Sequence, residues 1–218
     1  MSEAVALFFF LLVLVAAGVS AVLAYLSVKN LMQGLALNNP LPLAKLKSKL
    51  DRLVAVHGTT ALTREPALKP FRFPVIWYQR IVQEWRSHGR GGSWVTVSRK
   101  ERANDFELRF PDGGRMVVTA RPTEVQGANR KVNRRGLTSR RRAIQRWLAE
   151  GRPLTILGTL RLSKRGITIL PHSRLGLLFS SRSPRRAARV EFLKAAGGFA
   201  GILAMAIGLV VLLLYMQS

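Results

Sequence analysis

The stretch AVALFFFLLVLVAAGVSAVLAYLSV, from Ala4 to Val28, contains no charged residue. At about 1.5 Å rise per residue it is long enough, as a helix, to cross the roughly 30 Å hydrocarbon core of a bilayer. A second uncharged stretch, AAGGFAGILAMAIGLVVLLLYMQS from Ala195 to Ser218, contains four Gly and no Pro. All 35 Lys and Arg lie between the two, from Lys29 to Lys194, against 11 Asp and Glu, for a formal net charge of +24. The pattern predicts two transmembrane α-helices flanking a small, strongly basic α+β domain. The expected divisions are a first span over 4–28, a juxtamembrane linker over 29–52, a β-rich domain over 53–183, and a helix over 184–216 that runs into the second span.

Short flanks rich in Lys and Arg stay on the cytoplasmic side of a membrane. Lys29, Lys45, Lys47, Lys49 and Arg52 follow the first stretch, and Arg182, Arg185, Arg186, Arg189 and Lys194 precede the second. Both flanks therefore predict a cytoplasmic central domain with external termini. A cleaved signal peptide needs a positively charged start and a shorter apolar core, which Met1 to Glu3 and the length of the first stretch do not supply. The chain has no Cys, which excludes disulfides, thiolate metal sites and a Cys nucleophile from these residues.

Strand signals dominate the middle. The apolar runs Leu53–Val56 and Thr59–Arg64 are separated by Gly58, and Val75–Trp85 is long, aromatic and β-branched. Ser93–Lys100 alternates, which predicts one polar and one buried face. Phe106, Leu108 and Phe110 alternate with Glu107 and Arg109, and Pro111-Asp112-Gly113-Gly114 supplies turn chemistry before Met116–Thr119 returns, the pattern of a hairpin. Another hairpin is predicted from Leu154–Leu162 and Gly166–Leu170. A single internal helix is expected from Ser139 as N-cap through Ala149, with Gly151 beyond its end and Ala143, Ile144, Trp147 and Leu148 on its apolar side. A last helix begins at Ser183 and Pro184. Asn30–Asp51 reads equally as an interfacial amphipathic segment or as a solvated linker.

The order and spacing of these residues resemble the GIDE domain, also called BAM (beside a membrane), of mitochondrial membrane-anchored E3 ubiquitin ligases and their prokaryotic relatives. The similarity runs through Val56 and Gly58, Leu68 and Pro70, Trp77 and Tyr78, and Phe106, Leu108, Asp112, Gly113 and Val117. It continues in Leu148, Gly151, Leu154, Leu157 and Gly158, and closes on Phe179, Ser180, Arg182 and Ser183, covering roughly 53–183. The resemblance implies a membrane-anchored interaction domain. In the ligases a zinc-binding RING finger follows the second span, and none of its Cys ligands occurs in these 218 residues. Two positions depart from the family pattern, with Val75 where a Cys often precedes Trp-Tyr and Gln145 where an acid is common.

No catalytic constellation is evident. His57, His88 and His172 are the only histidines, far apart in sequence and without paired carboxylates nearby, and Gly-x-Ser-x-Gly, phosphate-loop and His-Glu-x-x-His motifs are missing. No metal, cofactor or enzymatic activity is expected. The remaining chemical feature is the run Arg130, Lys131, Arg134, Arg135, Arg140, Arg141, Arg142 and Arg146, with no acid from Gln126 to Ala149. It reads as a solvated loop, as a contact for anionic lipid headgroups, or as a nucleic-acid surface, the last disfavoured because Trp147 is its only aromatic. Trp77, Tyr78, Trp85 and Trp94 are expected to be β-core rather than the wall of a ligand groove. The functional expectation is a non-enzymatic scaffolding module on the membrane, with anionic lipid and an unidentified protein as partners. A membrane component of a ligase-like system is the alternative, and nucleic-acid binding at the membrane a further one.

Overall fold

The computed structural model describes residues 3–63, 73–89, 91–119, 121–133, 140–163 and 166–217. The chain forms two compact units, one holding both termini (1–38 and 185–218) and one holding residues 39–184. The first unit is two helices, α1 (Glu3–Asn38) and α2 (Pro184–Gln217). Each is long and apolar enough to cross a membrane by length and composition. They run antiparallel where small residues let them close up: the Phe192 ring packs on Gly34, a side chain at Gly198 would collide with Ser27 Oγ, and one at Gly201 would touch Leu23. Glu191 is fully buried in α2, with Oε1 2.8 Å from Lys194 Nζ.

The helix expected to end near Val28 continues ten residues further, to Asn38. The segment beyond it, read as an interfacial amphipathic segment or a solvated linker, packs on the domain core. It makes two short 3-10 turns, Leu43–Lys45 and Lys47–Lys49, and Leu46 is fully buried in the domain core with Leu41 and Leu43 packed beside it. Those leucines are used for tertiary packing, which accounts for the alternation of Lys with apolar positions.

The second unit is built from two sheets. Strands β1 (Leu53–Leu62), β2 (Val75–His88), β3 (Gly91–Ala103), β4 (Phe106–Arg109), β5 (Arg115–Val118), β6 (Glu124–Gln126), β7 (Asn129–Asn133), β8 (Arg141–Ala149), β9 (Pro153–Ser163), β10 (Gly166–Leu170) and β11 (Leu178–Ser180) follow in chain order. One sheet has the order β5-β4-β1-β9-β11-β6, with β10 also paired to β9. The other is β3-β2-β8-β7 and antiparallel throughout. The first sheet is mixed, since β11 and β6 run parallel, and its strand order does not close into a barrel.

Both expected hairpins are present. Phe106–Arg109 pairs with Arg115–Val118, and the turn is closed by Asp112 Oδ1 accepting from Gly114 N–H at 3.1 Å, with Gly113 at φ +81°. Ser163 pairs with Gly166 and Thr159 with Leu170. Gly58 does not end a strand. It lies inside β1, where any side chain would collide with the carbonyl oxygen of Arg109, so its role is close approach between β1 and β4. Gly158 is likewise pressed against the carbonyl of Leu170, and Gly151 lies in the turn between β8 and β9, donating its N–H to Thr60 O.

The expected helix over 139–149 is wrong. Residues 141–149 form strand β8, paired with β2 from Val75–Ala149 to Glu84–Arg141 and with β7 from Asn129–Trp147 to Asn133–Ala143. Ala143, Ile144, Trp147 and Leu148 do suit a helix face, but β2 on one side and β7 on the other satisfy this backbone, and tertiary pairing overrides the local periodicity. The domain is therefore β apart from short 3-10 turns among the described residues. Its core joins the sheets at one end: Ile76, Trp77 and Leu148 of the four-stranded sheet pack with Val54, Val56, Phe106, Leu108, Ile156, Leu160 and Phe179 of the other.

Candidate functional site: a basic sheet with an exposed aromatic end

The sheets differ in charge. The four-stranded one carries Arg80, Arg86, Arg99, Lys100, Arg102, Arg130, Lys131, Arg141, Arg142 and Arg146 against Glu84 and Glu101 alone. The described strands of the larger sheet carry Arg109, Arg115 and Arg161 against Glu107 and Glu124. The positive charge of the domain's strands is thus concentrated in β2, β3, β7 and β8.

Because successive strand residues point to opposite faces, β7 and β8 divide the basic run in two. Arg146 and Arg130 are opposite neighbours, and they share a face with Arg142, which is four residues from Arg146 on β8. Lys131 and Arg141 point the other way. Arg141 pairs with Glu84 at 3.2 Å. Arg146 donates to the Val125 carbonyl at 2.9 Å, and its guanidinium lies 5.8 Å from the Trp77 ring centre. Arg142 Nε donates to Gln83 Oε1 at 2.9 Å, and its guanidinium sits 4.1 Å over Trp94. Arg130, Lys131 and Arg140 are exposed, with no ion pair among the described residues. Arg134 and Arg135 lie outside the described residues.

The four aromatics expected in the core separate into two pairs. Trp77 and Tyr78 are buried; Trp77 Nε1 donates to Glu101 at 2.8 Å, and the Tyr78 hydroxyl accepts from Gln145 at 3.3 Å. Trp85 and Trp94 are not core. Trp85 is 39% exposed and meets Trp94 edge to face, with ring centres 5.5 Å apart. Nor does β3 bury a face, since none of its residues is buried. The reason is reach: β2 has no buried residue beyond Gln79 and β8 none before Ala143, which lies opposite Val82, so the hairpin from Gln83 to its turn extends past the part of the sheet that is covered.

Partial burial pushes the Glu101 carboxyl up, but hydrogen bonds from Trp77, Gln79 and Arg99, with the Arg99 charge, outweigh it and hold the group below its ordinary value. Burial lowers the His57 imidazole below its usual range, and its Nδ1 lies 2.9 Å from Thr155 Oγ1. His172 Nδ1 accepts from the N–H groups of Arg174 and Leu175, so it closes a turn. No cluster of three His, Asp or Glu suited to a metal occurs among the described residues. A cleft of about 350 Å³ between the sheets is lined by Thr60, Ile76, Leu148, Arg152 and Ser181, among others. The aromatic end and this cleft are the features that sequence reading missed; the acid-free run from Trp85 to Lys100 was a usable signal for the first.

Comparison of the chain with family models, curated proteins and solved structures gives no match.

Proposed function

We propose that this chain is a membrane-anchored, non-enzymatic interaction module that holds a basic β domain against an anionic leaflet. In this reading α1 and α2 cross the bilayer, the domain is cytoplasmic and both termini are external, the orientation favoured by the basic flanks. The observation that carries the reading is the asymmetry between the sheets, with cations gathered on one sheet while the chain that bears it has two apolar helices. Each Lys or Arg close to an anionic leaflet contributes about 1 kcal/mol, so Arg130, Arg140 and their neighbours suffice to hold a tethered domain at the surface. The resemblance to the GIDE/BAM domain supports the same assignment and adds a protein partner, with the domain as a scaffold beside the membrane. Membership of a ligase-like assembly is the alternative that this resemblance carries, and these 218 residues contain no Cys to act as RING ligands.

The test uses the full chain in nanodiscs of zwitterionic or anionic phospholipid, with phenylglyoxal labelling of arginines read by mass spectrometry. Arg130 and Arg140 should be several-fold less reactive in anionic discs, and raising salt to 1 M, where screening acts within about 3 Å, should abolish that protection. Equal reactivity in both lipids at low salt would overturn the assignment.

A further inference from the structure

We propose that the outer end of the β2–β3 hairpin is an interfacial anchor, in which Trp85 and Trp94 seat among lipid headgroups while Arg142 holds a headgroup phosphate. The inference rests on the anionic-membrane reading and gives that contact an apolar component.

The hairpin is built to present this end. From Gln79, the last buried residue of β2, to His88 at the turn, the strand advances roughly 30 Å. On such an arm Trp85 is exposed and Trp94 only half-buried, where a core would ordinarily cover both. Gly92 preserves their arrangement, because a Cβ there would lie 2.6 Å from the Trp85 indole. Trp94 stands across from Trp85, and Arg142 reaches over from β8 to cap the Trp94 face.

The hydrogen-bonding character of the end is one-sided. The indole N–H groups of Trp85 and Trp94 and the terminal guanidinium nitrogens of Arg142 have no acceptor among the described residues, and Arg140 adds a further exposed donor. The nearest carboxylate, Glu84, is on the opposite face and is paired with Arg141. A surface of cationic and indole donors beside apolar rings, with no carboxylate on the same face, matches the bilayer interface, where phosphate and ester oxygens lie against hydrocarbon and where Trp concentrates. Stacking of single-stranded nucleic acid fits less well: the rings meet at 63°, and the Trp94 face is covered by a guanidinium, so no pair of parallel open faces awaits a base.

The experiment is tryptophan quenching in the full chain, reconstituted in anionic nanodiscs whose phospholipid carries bromine on the acyl chain near the ester. The chain has four tryptophans. Bromine should quench a substantial part of their emission, and the variant W85F/W94F should lose most of that quenchable part while keeping the emission of Trp77. The same discs are scored for arginine protection. If Arg130 and Arg140 are protected but bromine leaves Trp85 and Trp94 unquenched, the anchor is wrong and the membrane reading stands. If neither effect is seen, both fall. Quenching by a single-stranded RNA oligomer, with none by brominated lipid, would overturn the anchor in favour of a stacking site.

Discussion

Trp77 and Trp85 lie on the same face of one strand, eight residues apart, and their environments are opposite. Trp77 is 1% exposed, packed in the core shared by both sheets, and bonded through its indole N–H to Glu101. Trp85 is 39% exposed and rests on Gly92 and on Trp94, whose ring is capped by the Arg142 guanidinium. What differs is the cover. The larger sheet lies over the first residues of β2 and the neighbouring end of β8, and beyond Gln79 the strand leaves it. One end of the sheet therefore holds the domain together, and the other is free to be a surface.

The strongest way to break this contrast is to truncate Trp77 and, at the outer end, the Trp94 ring on which Trp85 rests. Trp77→Ala should cost about 3 to 5 kcal/mol, from lost burial and the cavity left behind, and should leave Glu101 short of a donor. This is measured as a fall in the unfolding midpoint of the full chain in detergent, followed by near-UV circular dichroism. Equal midpoints for Trp77→Ala and the parent would show that the covered end does not stabilise the domain. Trp94→Ala should cost about 1 kcal/mol, the scale of an aromatic pair plus a partly exposed cation–π contact. A loss as large as that of Trp77→Ala would mean the outer end is core after all.

A smaller effect sharpens the boundary between the halves, where Glu101 receives Trp77, Gln79 and Arg99. Its folded-state value is depressed, so the stability it contributes is present above the unfolded value near 4.5 and is lost as pH falls through the folded one. Glu101→Gln should flatten that acid-side loss while leaving the shape of the curve above pH 5.5 unchanged. Unchanged acid sensitivity would show that the carboxylate is not what these donors hold.

The sequence made the apolar helices legible because an uncharged run of such length has few other uses. The hairpins were legible as well, through alternation and through Asp112-Gly113, where turn chemistry is local. Residues 141–149 were misread because Ala143, Ile144, Trp147 and Leu148 satisfy a helical stripe, and only the backbones of β2 and β7 decide between the two periods. β6, β7 and β11 went unseen, being three to five residues long and specified by their neighbours. The basic run was legible as composition but not as geometry: a strand sends Arg142 and Arg146 to one face and Arg141 to the other, and it gives Arg142 a tryptophan from a hairpin some fifty residues earlier. That Trp85 is exposed and Trp94 only half-buried depends on where the cover stops, which no local pattern encodes.

The reading of the basic sheet requires that both helices cross the membrane and leave the domain on the cytoplasmic side. Because the chain has no Cys, single cysteines report this directly. Ser2→Cys, Lys100→Cys and Gln217→Cys variants, expressed in a bacterial host, are treated in intact cells with a membrane-impermeant maleimide. Cysteines at positions 2 and 217 should label in intact cells, and the one at 100 only after lysis. Labelling at 100 in intact cells, or none at 2 and 217 until lysis, would contradict the account.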